Sequence, residues 1–185
     1  MELFEAIYAR QSIGGVKPDS VPRAVIEKLL NAAAQAPNHH KVRPWRFAVF
    51  ADAAREQLGE AMARMALTKN PAALPEALLA ERKKALRAPV IIAVGVDKPT
   101  GPKVSEIENV CAAASAVENL LLAAQASGLA AIWRTGPAAL DAGVKALCGL
   151  ALDQYLIGFV YVGYPLAETP PTARPGAEDR TIWVE

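Results

Sequence analysis

Residues 104–127 run without a proline or glycine, are rich in alanine and leucine, and are followed at once by Gly128, the residue best suited to the left-handed turn that closes a helix. No other stretch limits the fold as much. Glu106, Glu108, Glu118, Asn119 and Gln125 interrupt the apolar positions too often for a membrane span. A helix so apolar in water has to be covered on most sides, by its own chain or by its copy in a second subunit. The spacing therefore predicts a long central helix against which the other elements are laid.

Shorter periodicities supply those elements. Residues 89–96, Pro-Val-Ile-Ile-Ala-Val-Gly-Val, are apolar at nearly every position and β-branched at most, the pattern of a strand covered on both faces. Further strands are predicted over 45–50, 129–133 and 155–164. A short helix carries Leu3, Phe4 and Ile7 on one face and breaks before a turn at Ile13-Gly14-Gly15. Ser20 is placed to cap a second helix, with Val25, Leu29, Leu30 and Ala33 as its stripe, and Asp52 to cap a third carrying Leu58, Met62 and Met65. A charged helix follows over about 78–86, and another over 137–147. Long helices alternating with few strands give an α+β class, layered as an α/β three-layer sandwich.

With 185 residues, 52% of them hydrophobic, the chain can bury the core of one domain spanning 1–185. Its formal charge of +1, spread along the sequence, leaves no field to hold nucleic acid or an anionic membrane. Cys111 and Cys148 lie far apart in apolar stretches and read as inert core thiols of a reducing compartment. The N-terminus has no apolar run behind a basic one, so a cytoplasmic protein is expected. From Pro165 the composition turns to Pro165, Pro170, Pro171 and Pro175 among polar residues, which must run extended. Residues 165–185 are either a frayed tail or an arm reaching over a partner, anchored by Ile182, Trp183 and Val184.

No motif for a nucleophile, a metal or a phosphate loop is present. His39 and His40, the only histidines, stand side by side, and adjacent imidazoles in an extended loop point apart, a poor geometry for shared ligation. A binding loop with one imidazole facing a ligand is the better reading. Arg10-Gln11-Ser12 offers a guanidinium, an amide and a hydroxyl where a helix stops, a set suited to phosphate oxygens. The run from Gly128 to Gly136 has small residues that let backbone approach a flat ring, with Trp133, Arg134 and Thr135 at its exit.

Taken in order, Ala9-Arg10-Gln11-Ser12, then Ala36-Pro37-Asn38-His39 with Pro44-Trp45-Arg46-Phe47, then Gly128 to Gly136 resemble the FMN-dependent nitroreductase family, closest to its short YdjA-like branch. The resemblance implies a central, mostly antiparallel sheet with a long buried helix, and a homodimer with FMN at the interface. It implies NAD(P)H as electron donor and a nitroaromatic, quinone or related planar acceptor. In such proteins the flavin carries the chemistry, so no catalytic side chain is expected. Carried over by position, Arg10 and Ser12 hold the phosphate and ribityl chain with Gln11 beside them. Gln35 and His39 reach the flavin of the other subunit, and Trp133, Arg134 and Thr135 line the site from the strand exit. The nicotinamide cofactor falls near residues 123–128.

Relatives commonly carry a second arginine where this chain has Gln11, a cation near Gly14 or Gly15, an arginine where it has Gln35, and Asp-His-Lys where it has Asn38-His39-His40. Each good charge-assisted bond to a phosphate contributes only about 1.5–3 kcal/mol. Arg10 therefore needs a second cation, for which Arg134, Lys17, Arg43 and Arg174 are the candidates. Two alternatives stand beside the nitroreductase reading: a flavin-binding protein that stores or senses FMN without turnover, and an enzyme of the same fold that uses reduced FMN for oxygen-dependent or other reductive chemistry.

Overall fold

The computed structural model describes residues 1–185. Four strands, β1 (Trp45–Ala51), β2 (Val90–Val96), β3 (Ala130–Arg134) and β4 (Tyr155–Gly163), form one antiparallel sheet in the order β1-β2-β4-β3. β2 is paired on both edges and all of its residues are buried, as its unbroken apolar run requires. Strand alternation sends Val90, Ile92, Val94 and Val96 into one core and Ile91 and Ala93 into the other. The first core is roofed by α2 (Arg23–Ala33) and α5 (Glu106–Ala126), the second by α3 (Ala54–Lys69) and α6 (Ala142–Leu147). α4 (Pro75–Lys84) packs against α3, and α1 (Leu3–Ala9) against α5. The result is the α+β three-layer arrangement that the element pattern implied.

α5 is the long buried helix, and its ends are chemically fixed. The Ser105 hydroxyl accepts from the Glu108 N–H while the Glu108 carboxylate accepts from the Ser105 N–H at 2.7 Å, a reciprocal capping box. Gly128, at φ +71°, turns the chain out of the helix, and the Leu129 N–H returns to the Ala124 carbonyl at 2.9 Å. Ala112, Ala113, Ala116 and Ala124 are buried and small, which brings the helix close to the sheet and to α2. Two amides tie it down: Asn119 donates to the Ala32 carbonyl at 3.2 Å and Asn109 to the Asp97 carbonyl at 3.0 Å. α5 is the one helix long and apolar enough to cross a membrane, and these packed faces account for its composition. A single stripe stays uncovered: Ile107, Cys111 and Glu118 are exposed, and Ala114, Leu122 and Gln125 partly so.

Several local expectations are corrected. α2 starts at Arg23, with Pro22 rather than Ser20 at its cap position and no side-chain cap bond. Asp52 takes a left-handed conformation, φ +47°, and its carbonyl, not its carboxylate, meets the Arg55 N–H and Arg55 Nε. The last predicted helix is two pieces, a 3-10 turn Pro137–Leu140 and α6, because the Asp141 side chain accepts from the Val144 N–H and starts a new helix. Leu3, Phe4 and Ile7 do share a face of α1, but that face is exposed and only Ala6 is buried. Cys111 is exposed on α5 rather than packed in the core. Cys148 is half-buried, and its thiol is pushed up to about 11 by burial.

Candidate functional site

β3 is the last strand of the sheet, and its free edge is taken by the N-terminal segment. Ser12 bridges Ala131 in parallel, the Ile13 N–H donates to the Ala131 carbonyl at 3.0 Å, and Val16 bridges Pro165. The Lys17 N–H donates to the Tyr164 carbonyl at 2.8 Å. Residues 13–15 therefore form an extended edge, not the turn that two glycines suggested, because an open row of strand carbonyls and N–H groups outweighs their turn preference.

This edge gathers Arg10, Gln11 and the C-terminal segment. The Gln11 amide donates to the Pro170 carbonyl at 2.8 Å and accepts from the Thr172 hydroxyl at 2.8 Å. Proline-rich backbone lacks N–H donors but keeps its carbonyls, so an amide side chain can read it. The Arg174 guanidinium donates to the Arg10 carbonyl. The Arg10 side chain, only 20% exposed, lies with Nε 3.4 Å from a Glu118 carboxylate oxygen on the open stripe of α5. Arg174 thus meets the Arg10 backbone, while the Arg10 side chain turns to α5. Next to them a cleft of about 520 Å³ opens between the tail at 165–171 and the end of α5, with Gln125, Gly128 and Leu129 in its wall.

At the exit of β3, Trp133 and Arg134 point to opposite faces, as alternation demands. The Trp133 indole N–H donates to the Ile157 carbonyl at 3.2 Å. It lies over Gly158, which sits at φ +142° beside a register shift between β2 and β4; a Cβ there would come within 2.5 Å of the indole nitrogen and of the Arg134 carbonyl. Arg134 instead passes to the second core, its Cζ 5.8 Å from the centre of the Tyr161 ring. Its Nε is buried without a hydrogen-bond partner, an arrangement that costs about 1–3 kcal/mol. Gly14 leaves it room, since a Cβ there would stand 3.0 Å from an Arg134 terminal nitrogen. Thr135 and Ser12 are exposed.

Gln35 and His39 form a separate group. Asn38 organises their loop: its side-chain oxygen accepts from the Arg43 N–H at 2.8 Å and its amide donates to the Ala36 carbonyl at 3.3 Å. Between them His40, Lys41 and Arg43 are all held at positive φ, strained for side chains of this kind. The two imidazoles are tilted 55° apart. His39 Nδ1 lies 3.6 Å from a Glu108 oxygen, and Gln35 is exposed, donating only to the Asn31 carbonyl at 3.3 Å. The Glu108 carboxyl is held below the usual glutamate range by the Ser105 N–H first and the Ser105 hydroxyl next, with His39 and His40 adding to it. The loop and the stripe residues Ile107, Cys111 and Ser115 bound a second cleft of about 510 Å³.

Within one chain the two groups do not meet. Glu108, beside His39, and Glu118, beside Arg10, are separated by roughly 15 Å along α5 at about 1.5 Å per residue. Both acids escaped the sequence reading as site residues, although their placement on one stripe with Cys111 was visible in the helical spacing. Arg174 and Thr172 carried no local signal beyond the inclusion of Arg174 among candidate cations. Gly158→Ala is expected to lower stability by more than about 1 kcal/mol in urea unfolding, since it strains a positive φ and drives Trp133 off β4. Gly15→Ala, with nothing nearer than 4.0 Å, is expected to leave it nearly unchanged.

A sequence model described as the nitroreductase family matches residues 7–164. YdjA of Escherichia coli (strain K12), which bears the name of a candidate NAD(P)H nitroreductase, is 27% identical over 165 residues, covering 89% of each chain. A Methanothermobacter thermautotrophicus protein, named as a candidate NADH dehydrogenase/NAD(P)H nitroreductase, is 33% identical over 182 residues, 93% of this chain and 81% of that one. Among solved structures, a nitroreductase-like protein from Bacillus cereus shares the fold with a TM-score of 0.84 at 22% identity, covering 100% of this chain and 97% of the other. A Desulfovibrio desulfuricans protein named as a candidate nitroreductase, crystallised in complex with FMN, has a TM-score of 0.75 at 26% identity, with 96% and 94% covered.

Proposed function

Because the chain belongs to the nitroreductase family, we propose that it is an FMN-dependent oxidoreductase that takes hydride from NAD(P)H and delivers it to a small planar acceptor such as a nitroaromatic or a quinone. One observation carries the cofactor end of this reading: the Arg174 guanidinium is brought to the backbone of Arg10 at the β3 edge, beside exposed Ser12, so that two arginines stand at one place. The residues present fit a flavin phosphate there. Two guanidiniums offer the charge that Arg10 alone lacks, and Gln11, where relatives place a cation, holds the tail that brings Arg174 in. Of the other candidates, Arg43 lies in the His39 loop and Lys17 is exposed beyond the Val16 bridge, while Arg134 lies over the Tyr161 ring with a terminal nitrogen close to Gly14.

When bound, FMN supplies a ring that accepts hydride from a nicotinamide and gives it up to the acceptor. The chain's own residues bind, orient and cover. Arg10 and Arg174 hold the phosphate, Glu118 fixes the direction of Arg10, and Ser12 meets the ribityl chain. Trp133 and Thr135 line the ring from the β3 exit, with Arg134 placing positive charge behind the strand. Gln125 and Gly128, in the cleft beside the tail, form the wall along which a nicotinamide dinucleotide would lie.

The site is shared between two copies. Gln35 and His39 are exposed and lie too far along α5 to serve the Arg10 of their own chain, but both groups border the one open stripe of that helix. A twofold axis that lays stripe on stripe brings His39, held by Glu108, toward the Arg10 group of the second copy, and buries Ile107. The bare apolar residues Phe4, Ile182, Trp183 and Val184 are further surface for the same partner, with 165–185 as an arm reaching over it. We place this dimer in the cytoplasm, where the free thiols Cys111 and Cys148 stay reduced.

Arg10→Ala and Arg174→Ala are each expected to weaken FMN binding about 10- to 100-fold in a flavin-fluorescence titration. Lys17→Ala is expected to leave it within about twofold; unchanged affinity in Arg174→Ala would refute the two-cation phosphate site. In solution the holoprotein is expected to have the mass of two chains by light scattering, and Ile107→Asp to shift it toward one.

A further inference from the structure

The outer face of the second core holds a cleft of about 250 Å³ between α3, the end of α4 with the segment after it, the β3 exit and β4. Its charge is unbalanced. Lys84 is already paired with Glu81 at 2.5 Å, whereas neither Arg87 nor Arg134 has a carboxylate or any side-chain hydrogen bond. Arginines at a solvated surface need no partner, but Arg134 is not free to solvate: its Nε is covered and its guanidinium is laid over the Tyr161 ring. Arg87, Arg134 and Tyr161 all line this cleft, together with Met62, Met65 and Phe159. Burial pushes the Tyr161 hydroxyl up, and Arg87 and Arg134 partly offset it.

We infer that this cleft binds a small organic carboxylate, its carboxylate between Arg87 and Arg134 near the Tyr161 hydroxyl and its apolar body against Met62, Met65 and Phe159. Two planar guanidinium forks match the flat, bidentate geometry of a carboxylate. A free phosphate would lay a strongly hydrated dianion against thioether and phenyl walls that give it no hydrogen bond. The cleft is smaller than the roughly 300 Å³ at which drug-sized pockets begin, which excludes a flavin nucleotide or a dinucleotide and leaves room for a ligand of about one ring. The inference does not rest on the flavin phosphate site, none of whose ligands lines this cleft, although Arg134 and Thr135, proposed to stand near the flavin ring, line it too.

Calorimetric titration of the purified protein with benzoate, at low salt, tests it. Saturable binding at one site per chain is expected, weakened about tenfold or more in Arg87→Gln and unchanged in Lys28→Gln on the opposite layer. Arg87 is exposed, so its replacement leaves the fold intact. Inorganic phosphate and neutral benzamide are expected to bind more weakly than benzoate. Absence of saturable benzoate binding overturns the inference. So does benzoate affinity that survives Arg87→Gln, which would mark stacking elsewhere, and so does phosphate binding as tight as benzoate.

Discussion

An open strand edge cannot remain open without exposing a row of backbone donors and acceptors, and in this chain the edge of β3 is closed by its own N-terminus. That pairing decides where the proposed flavin site can be. It lays Arg10-Gln11-Ser12 beside the small residues of β3, and through the Val16–Pro165 bridge it returns the end of β4 to the same place. The tail then has no choice but to pass Gln11, whose amide fixes it and delivers Arg174 to the Arg10 backbone. Remove the edge pairing and Arg174 has no reason to reach Arg10.

The second constraint is α5. Alanines at its buried positions let it sit against sheet and α2 at once, and its polar residues are spent on structure, Asn109 and Asn119 to neighbouring carbonyls and Glu108 to the cap. What is left is one stripe, on which Glu118 stands beside Arg10, while Glu108 at the cap stands beside His39. The proposed flavin site, split between these places, would require two copies of the helix, and the proposed dimer rests on that division.

Much of this was legible in the sequence because it was local. The alanine-rich run with Gly128 behind it, the unbroken β2 and the Trp133 to Thr135 exit each carry their signal within a few residues. The misread points share a cause. Ser20 and Asp52 are good cap formers in isolation, but Pro22 and a left-handed Asp52 backbone set those helix starts instead. Ile13-Gly14-Gly15 reads as a turn until a strand edge outside its own window claims it. The opposed directions of Trp133 and Arg134 were implicit in strand alternation. The meeting of Gln11 with Pro170 and Thr172 was not, since nothing near either segment names the other.

The central claim is that this edge, shared with a second copy, presents a flavin to nicotinamides. Anaerobic stopped-flow mixing of the FMN-loaded protein with NADH and with NADPH tests it most directly. The account predicts that oxidised-flavin absorbance is lost on mixing with at least one of the two and regained when a quinone or nitroaromatic is added. Flavin that stays oxidised for minutes with both donors would contradict it and leave a flavin-binding protein without nicotinamide-driven turnover.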